Sequence, residues 1–362
     1  MLNLYAYFGL LDLHDVDTPG HSLYQLGLLD SIDVTYGPAK FDFYSYYPDS
    51  VIEGATIGPF PSTQLGELFH KTKTELINRD DLTFDQILVN IEEREYDTLY
   101  LKARFRNLST LAKKWKDARE FETIIHTAME SGYTKKNIVI LDTDLSLSQY
   151  FIDKYSDFVT ILIPSIDFPG ISERFLMQCI AAGNYKASIP MVSVFYGNID
   201  TSKYKSGNSK SPILGEVLNQ VNLYHNDGPN STKPFYVICK ESDFNWIEKK
   251  PNTQHIERSN RFHIWEALSA GSIMLNVTKE KYNDVGFIPA RIFEALIFGM
   301  IPVSFKFEFL SKAFSFESID ELDEIYQYLY ECDDAGLEQA YLHFVASYLD
   351  YSNNIPTKYL TK

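Results

Sequence analysis

The chain has 362 residues, 45% apolar and 15% aromatic, which suits two domains of ordinary size and excludes an intrinsically disordered chain. A formal net charge of −16 repels phosphates and argues against a non-specific grip on nucleic acid. No apolar run is long enough to cross a bilayer and no basic-plus-apolar leader opens the chain. Cys179, Cys239 and Cys332 are too scattered for a zinc site and leave one thiol unpaired, so a cytoplasmic protein without a membrane partner is expected.

Asn3 to Phe8 reads as an opening strand that stops at Gly9. A loop of acids and imidazole follows, with Asp12, His14, Asp15 and Asp17, then the turn Thr18-Pro19-Gly20-His21. A helical pattern runs from Ser22 to Ser31, completing a first βα unit. Lys40 to Tyr47 is a second strand, and the Pro- and Gly-spotted stretch Pro48–Pro61 a loop that can lie over a cleft. Leu65 to Leu88 is expected to be mostly helical, Asp97 to Lys102 a short strand, and Leu108 to Met129 a basic amphipathic helix.

Asn137–Leu141 and Phe158–Pro164 are expected buried strands, the second followed by a helix over Ser172–Ala182. Asn184 to Pro190 is the expected linker, which gives one domain over 1–185, a second over 190–350 and a tail over 351–362. The second half repeats the alternation. Strands are expected at Met191–Tyr196, Phe235–Cys239, Ser272–Val277 and Ile301–Phe305, and helices at Pro212–Tyr224, Arg258–Ala270 and Ala290–Phe298. Two acidic helices, Ile319–Tyr330 and Gly336–Tyr348, close the chain. Strands alternating with helices indicate an α/β protein with parallel, doubly wound sheets.

Ligands of such sheets bind at the carboxyl ends of the strands, so four loops hold the candidate residues. In the first, Gly20 and His21 open a helix, where backbone amides can meet an anion, and His14 and Asp15 lie just before them. The second is Asp142-Thr143-Asp144, readable as a metal motif or as a cap between strand and helix. The third, Gly197 to Lys210, places Asn198, Lys203 and Lys205 after a strand, as a diphosphate site or a plain surface loop. The fourth runs from Asn276 past Tyr282 and Ile288 to Arg291 and Glu294, one helical turn apart. That last pair is either a surface ion pair or a grip on a nucleotide, the guanidinium on the diphosphate and the carboxylate on the ribose. Glu266 belongs to an internal echo of the Glu294 segment and is the alternative for that role.

Charge is uneven. From Leu101 to Arg119, Lys102, Arg104, Arg106, Lys113, Lys114, Lys116 and Arg119 against Asp117 give 7 − 1 = +6, leaving −16 − 6 = −22 elsewhere. With Trp115 among them, these residues suit a DNA backbone or a solvated helix face. No Gly-x-Gly-x-x-Gly and no Walker loop is present.

The segment Arg291-Ile292-Phe293-Glu294-Ala295-Leu296, running on through Gly299 to Pro302, resembles the donor-nucleotide element of GT-B glycosyltransferases. The glycine turn after the first strand and the stretch Gly197–Lys205 are similar to that family as well, and in particular to the phage DNA glucosyl- and arabinosyltransferases. The resemblance implies two Rossmann-like domains facing a central cleft and a UDP-glucose or UDP-arabinose donor. It implies 5-hydroxymethylcytosine in double-stranded DNA as acceptor, no tightly bound metal, and a monomer. By it, Glu294 holds the ribose, Arg291 the diphosphate, and Asp142 or Asp144 lies near the acceptor hydroxyl to deprotonate or steer it, a role for which Asp12, His14, Asp15 and Asp17 compete. The family's second glutamate is replaced by Gly286. A glycan acceptor, or nucleotide-sugar binding without catalysis, are the alternatives.

Overall fold

In the computed structural model the described residues are 1–7, 19–45, 64–103, 116–142, 147, 149–164, 173–182, 193–196, 217, 220, 235–239, 241–244, 253–257, 268, 271–277, 282, 286–306 and 314–352. They fall into two compact units, one within Met1–Asp15, His21–Phe175 and Asn354–Lys362, the other within Val16–Gly20 and Leu176–Asn353.

The first unit contains β1 (Leu2–Tyr7), α1 (Pro19–Tyr36), β2 (Lys40–Ser45), α2 (Gln64–Leu76), β3 (Ile77–Arg79) and α3 (Phe84–Glu92). Then come β4 (Thr98–Ala103), α4 (Lys116–Glu130), β5 (Ile138–Asp142), α5 (Gln149–Tyr155), β6 (Thr160–Leu162) and α6 (Glu173–Ala182), whose start belongs here. Its strands are all parallel in the order β3-β2-β1-β4-β5-β6.

Parallel strands are covered on both faces, which is why β1 and β4 are apolar almost throughout instead of alternating with solvent. One face carries Leu4, Ala6, Leu99, Leu101, Ile138 and Ile140, under Ile87 and Ile91 of α3, Phe121, Ile124 and Ile125 of α4 and Phe151 of α5. The other carries aromatics. Tyr5 stacks on Phe43 and Phe41 tilts against Tyr100, both pairs 6.1 Å apart. Along this unit α6 is tied to α1 by Arg174, which reaches Asp30 and Asp33, and to α2 through the stacked rings of Phe69 and Phe175.

Leu65–Leu88 is not one helix. The chain leaves α2 at Leu76, adds the three-residue edge strand β3, and restarts α3 at a capping box in which Thr83 and Gln86 exchange hydrogen bonds. Asp42, fully buried on β2, holds that edge in place. It accepts from Asn78 (3.2 Å), from the Tyr96 hydroxyl (3.1 Å) and from two nitrogens of Arg79. The expected strand Phe158–Pro164 is also shorter, three residues long with Phe158 exposed before it. Helix α1 is longer than expected and starts at Pro19, which suits the first helical position because proline has no N–H to leave orphaned.

The second unit contains β7 (Ser193–Tyr196), β8 (Phe235–Cys239), α7 (Glu241–Phe244), β9 (Thr253–Glu257), β10 (Ile273–Asn276) and α8 (Ala290–Ile297). It ends with β11 (Ile301–Phe305), β12 (Ser315–Phe316), α9 (Ile319–Glu331) and α10 (Asp334–Ser352). The strand order is β12-β11-β10-β7-β8-β9, again all parallel. Numbered within its own unit, each sheet has the order 3-2-1-4-5-6, the doubly wound Rossmann arrangement.

Helix α8 ends in a Schellman motif. Gly299 takes φ +71°, Met300 N–H donates to Ala295 O (2.8 Å) and Gly299 N–H to Leu296 O (3.3 Å). The Tyr341 hydroxyl of α10 donates to Leu296 O at 2.6 Å, so the last turn of α8 is held from outside as well. Ser318 and Glu321 form the capping box that starts α9. No helix among the described residues is long and apolar enough to cross a membrane.

Candidate active site

Strand order places the candidate crevices. In a doubly wound sheet the ligand lies beyond the carboxyl ends of the two strands where the winding reverses. In the first unit those strands are β1, which ends at Tyr7, and β4, which ends at Ala103. In the second they are β7, ending at Tyr196, and β10, ending at Asn276. The chain leaves β7 into Gly197, Asn198, Lys203 and Lys205, which lie outside the described residues.

The second unit brings Asn276 and Glu294 into its interior. Asn276 is fully buried at the reversal point, and its Nδ2 donates to Ser304 Oγ of β11 at 3.3 Å. Glu294 is also fully buried, in a helix whose residues from Ile292 to Ile297 all are, whereas Arg291 is half-buried. A surface ion pair is therefore ruled out for Glu294. Taking a carboxylate wholly out of water costs several kcal/mol unless it is compensated. Glu294 thus belongs to the interior of the second unit and not to a solvated face.

Ile288 is fully buried, and Tyr282 packs on the buried Phe287 with ring centroids 4.4 Å apart. Tyr282 O accepts the Phe287 N–H at 2.8 Å, which closes the loop leading into α8. Gly286 in that loop has φ +63°. A glutamate there would be strained by its Cβ, so the backbone itself accounts for the residue found where the resembling family has a second carboxylate.

In the first unit, Asp142 is the last residue of β5, only 3% exposed, and its Oδ2 accepts the Leu147 N–H at 3.0 Å. Asp144, His14 and Asp15 lie outside the described residues, as do Arg104, Arg106, Lys113, Lys114, Trp115 and Glu266. Gly20 and His21 fall within the first turn of α1.

Lys102 corrects the basic-face expectation. It is fully buried in β4, on the face opposite the Leu101–Ile140 core, and so is not a solvent-facing contact for a DNA backbone. The described part of the expected basic helix starts only at Lys116 and turns Phe121, Ile124 and Ile125 into the core. The residues that follow β4 carry the remaining positive charge of that segment.

A buried acid that sequence reasoning did not single out is Glu120 of α4. Its Oε2 accepts from the Tyr44 hydroxyl at 2.5 Å, at the carboxyl-end half of β2. Burial, then the hydrogen bond and charge of Glu120, push the Tyr44 phenol far above its ordinary range. Nothing in the local pattern around Glu120 distinguishes it from the acids of any amphipathic helix. Among the described residues no cluster of three or more His, Cys, Asp or Glu side chains is disposed to hold a metal ion.

No protein-family model and no curated protein matches the chain. Solved structures do. T4 phage β-glucosyltransferase superposes with a TM-score of 0.53 at 12% identity, over 100% of both chains. Two further structures of the same phage enzyme, a mutant holding UDP-glucose and one with UDP and Mn²⁺, give 0.52 and 0.50 at the same identity and coverage. The fold is GT-B. This agrees with the parallel doubly wound sheets found in each unit, and with the fold expected from the Arg291–Pro302 segment. At 12% identity the likeness defines architecture, so activity and acceptor are argued separately.

Proposed function

We propose that the protein is a UDP-sugar-dependent glycosyltransferase that moves glucose or arabinose to the hydroxymethyl group of 5-hydroxymethylcytosine in DNA. The observation that carries the reading is the fully buried carboxylate of Glu294 on a helix that follows the carboxyl end of β10, one of the two reversal strands of a GT-B fold. Likeness over the full length to a phage β-glucosyltransferase that binds UDP-glucose supports the donor and, more distantly, the acceptor.

In this reading Glu294 accepts the ribose hydroxyls while Arg291, Lys203 and Lys205 neutralise the diphosphate. The acceptor hydroxyl oxygen attacks the anomeric carbon. The bond from that carbon to the UDP oxygen breaks, and UDP leaves with the bonding pair. The hydroxyl proton passes to a carboxylate or imidazole of the acceptor half. Asp142, Asp15, Asp144 and His14 are the candidates for that proton; the Leu147 N–H that Asp142 accepts occupies only one of its carboxylate lone pairs. In duplex DNA the target base must leave the stack, and Pro48–Pro61 with Arg104–Trp115 are the segments assigned to hold the opened strand.

The test is nucleoside mass spectrometry after hydroxymethylated DNA is incubated with UDP-glucose or UDP-arabinose. A mass gain of one hexose or pentose on 5-hydroxymethylcytosine is expected. Turnover of a glycan acceptor with none on DNA would replace the acceptor assignment, and no affinity for any UDP-sugar would remove the enzyme reading.

A further inference from the structure

Asn276 and Ser304 share one face of the sheet at the carboxyl ends of adjacent strands, where β10 pairs with β11 residue for residue. Both are buried, at 0% and 2% exposure. The amide commits its Nδ2 arm sideways to Ser304 Oγ, at 3.3 Å on the β11 side. Its other arm, Oδ1, is buried and has no hydrogen-bond partner among the described residues. The strand on the other edge of β10 is β7. Leu275 pairs with Phe195, so Asn276 is level with the end of β7, at the strand reversal where the ligand crevice lies.

Leaving a buried amide oxygen unsatisfied costs about 1–3 kcal/mol, so an orphan in this place calls for a ligand group. A carbonyl oxygen repels phosphate and accepts only from N–H or O–H. We propose that Asn276 Oδ1 accepts a hydrogen bond from the nucleoside part of the donor, and that Ser304 is a positioning residue which holds the amide turned that way. This rests on the nucleotide-sugar reading above and adds to it the group on the donor that the second unit selects. Two sources offer that chemistry, the imide N–H of uracil and a hydroxyl of the ribose.

Calorimetric titration of the full chain with UDP, CDP, 2′-deoxy-UDP and 3′-deoxy-UDP separates them, with Ser304→Ala and Asn276→Ala as variants and each melting temperature as a control. Both variants are expected to bind UDP about three- to tenfold more weakly, the effect of one hydrogen bond. The loss should vanish for the one nucleotide that lacks the donor. If it vanishes for CDP, whose ring nitrogen is an acceptor, the base is assigned; if for a deoxy nucleotide, that ribose hydroxyl is. Ser304→Thr should recover wild-type affinity where its isostere Ser304→Val does not, a comparison that also serves if Ser304→Ala proves poorly folded. An equal loss for all four nucleotides, or none for UDP, overturns the inference while UDP binding by the wild type preserves the functional reading. A wild-type protein that binds no uridine nucleotide overturns both.

Discussion

Glu294→Gln is the substitution that probes the donor site most directly. The side chain is fully buried in α8, so a carboxamide of the same volume leaves no cavity and the helix keeps its packing. A carboxylate offers two acceptor oxygens to two vicinal ribose hydroxyls, whereas the carboxamide offers one. A hydrogen bond to a charged group contributes about 1.5–3 kcal/mol. Since about 1.4 kcal/mol is tenfold in affinity, UDP should bind the variant about ten- to a hundredfold more weakly. Titration calorimetry at fixed ionic strength measures this, with 2′,3′-dideoxy-UDP as the internal control, for which wild type and variant should bind alike. A folded Glu294→Gln protein that binds UDP as the wild type does would refute the assignment of this carboxylate to the ribose.

Asp42→Ala leaves Arg79, Asn78 and Tyr96 without their common acceptor, and should destabilise the protein by about 3–5 kcal/mol in urea unfolding, with β3 and α3 losing amide protection first. Tyr341→Phe removes the 2.6 Å bond to Leu296 O and should cost about 1–2 kcal/mol, read as a lower urea midpoint at unchanged slope. Gly286→Glu, which restores the family's second carboxylate, meets a backbone at φ +63° and should lower stability by about 1–3 kcal/mol without raising turnover. Arg174→Leu separates α6 from Asp30 and Asp33; because the guanidinium side chain is 48% exposed, the expected thermal-unfolding loss is only about 1 kcal/mol.

The buried strands were readable because both faces of a parallel sheet are covered, so β5, β8 and β11 are nearly unbroken apolar runs. Edge strands lack that signature. β3 (Ile-Asn-Arg), β9 (Thr-Gln-His-Ile-Glu) and the two-residue β12 were missed because one side meets solvent or another element, which permits polar residues. Helix α8 separates the two readings of its polar pair. Arg291 and Glu294 do lie one turn apart on it, yet Ile292, Phe293, Ala295, Leu296 and Ile297 are buried around Glu294, which excludes a solvent-facing ion pair. A helix apolar nearly all round is buried, and the glutamate is buried with it. Lys102 was misread, since a lysine counted towards a basic run belongs to the central strand that precedes the run. Ser304 carried no local signal, because its role depends on a register between strands that are consecutive only after a helix.

The two sheets share one winding order, and that sharing constrains how the chain can work. Each reversal point is a place where two strand ends diverge and leave the backbone of both loops free to approach a ligand. In the second unit Asn276 ends β10 at that point and Glu294 is buried on the helix that follows; an amide acceptor and a carboxylate both suit hydroxyl and N–H donors and not phosphate. The cations that a diphosphate requires belong in sequence to the loop after β7 and to Arg291 at the start of α8. On the proposed reading, nucleoside and diphosphate are served by different segments, which predicts separable losses. Neutralising Lys203 and Lys205 together should weaken UDP far more than uridine, with a strong dependence on salt, whereas Asn276→Ala should weaken both to the same extent and independently of salt. Titrations of uridine and UDP at two ionic strengths decide it, and a salt-dependent loss in Asn276→Ala would show that the amide acts on the phosphates after all.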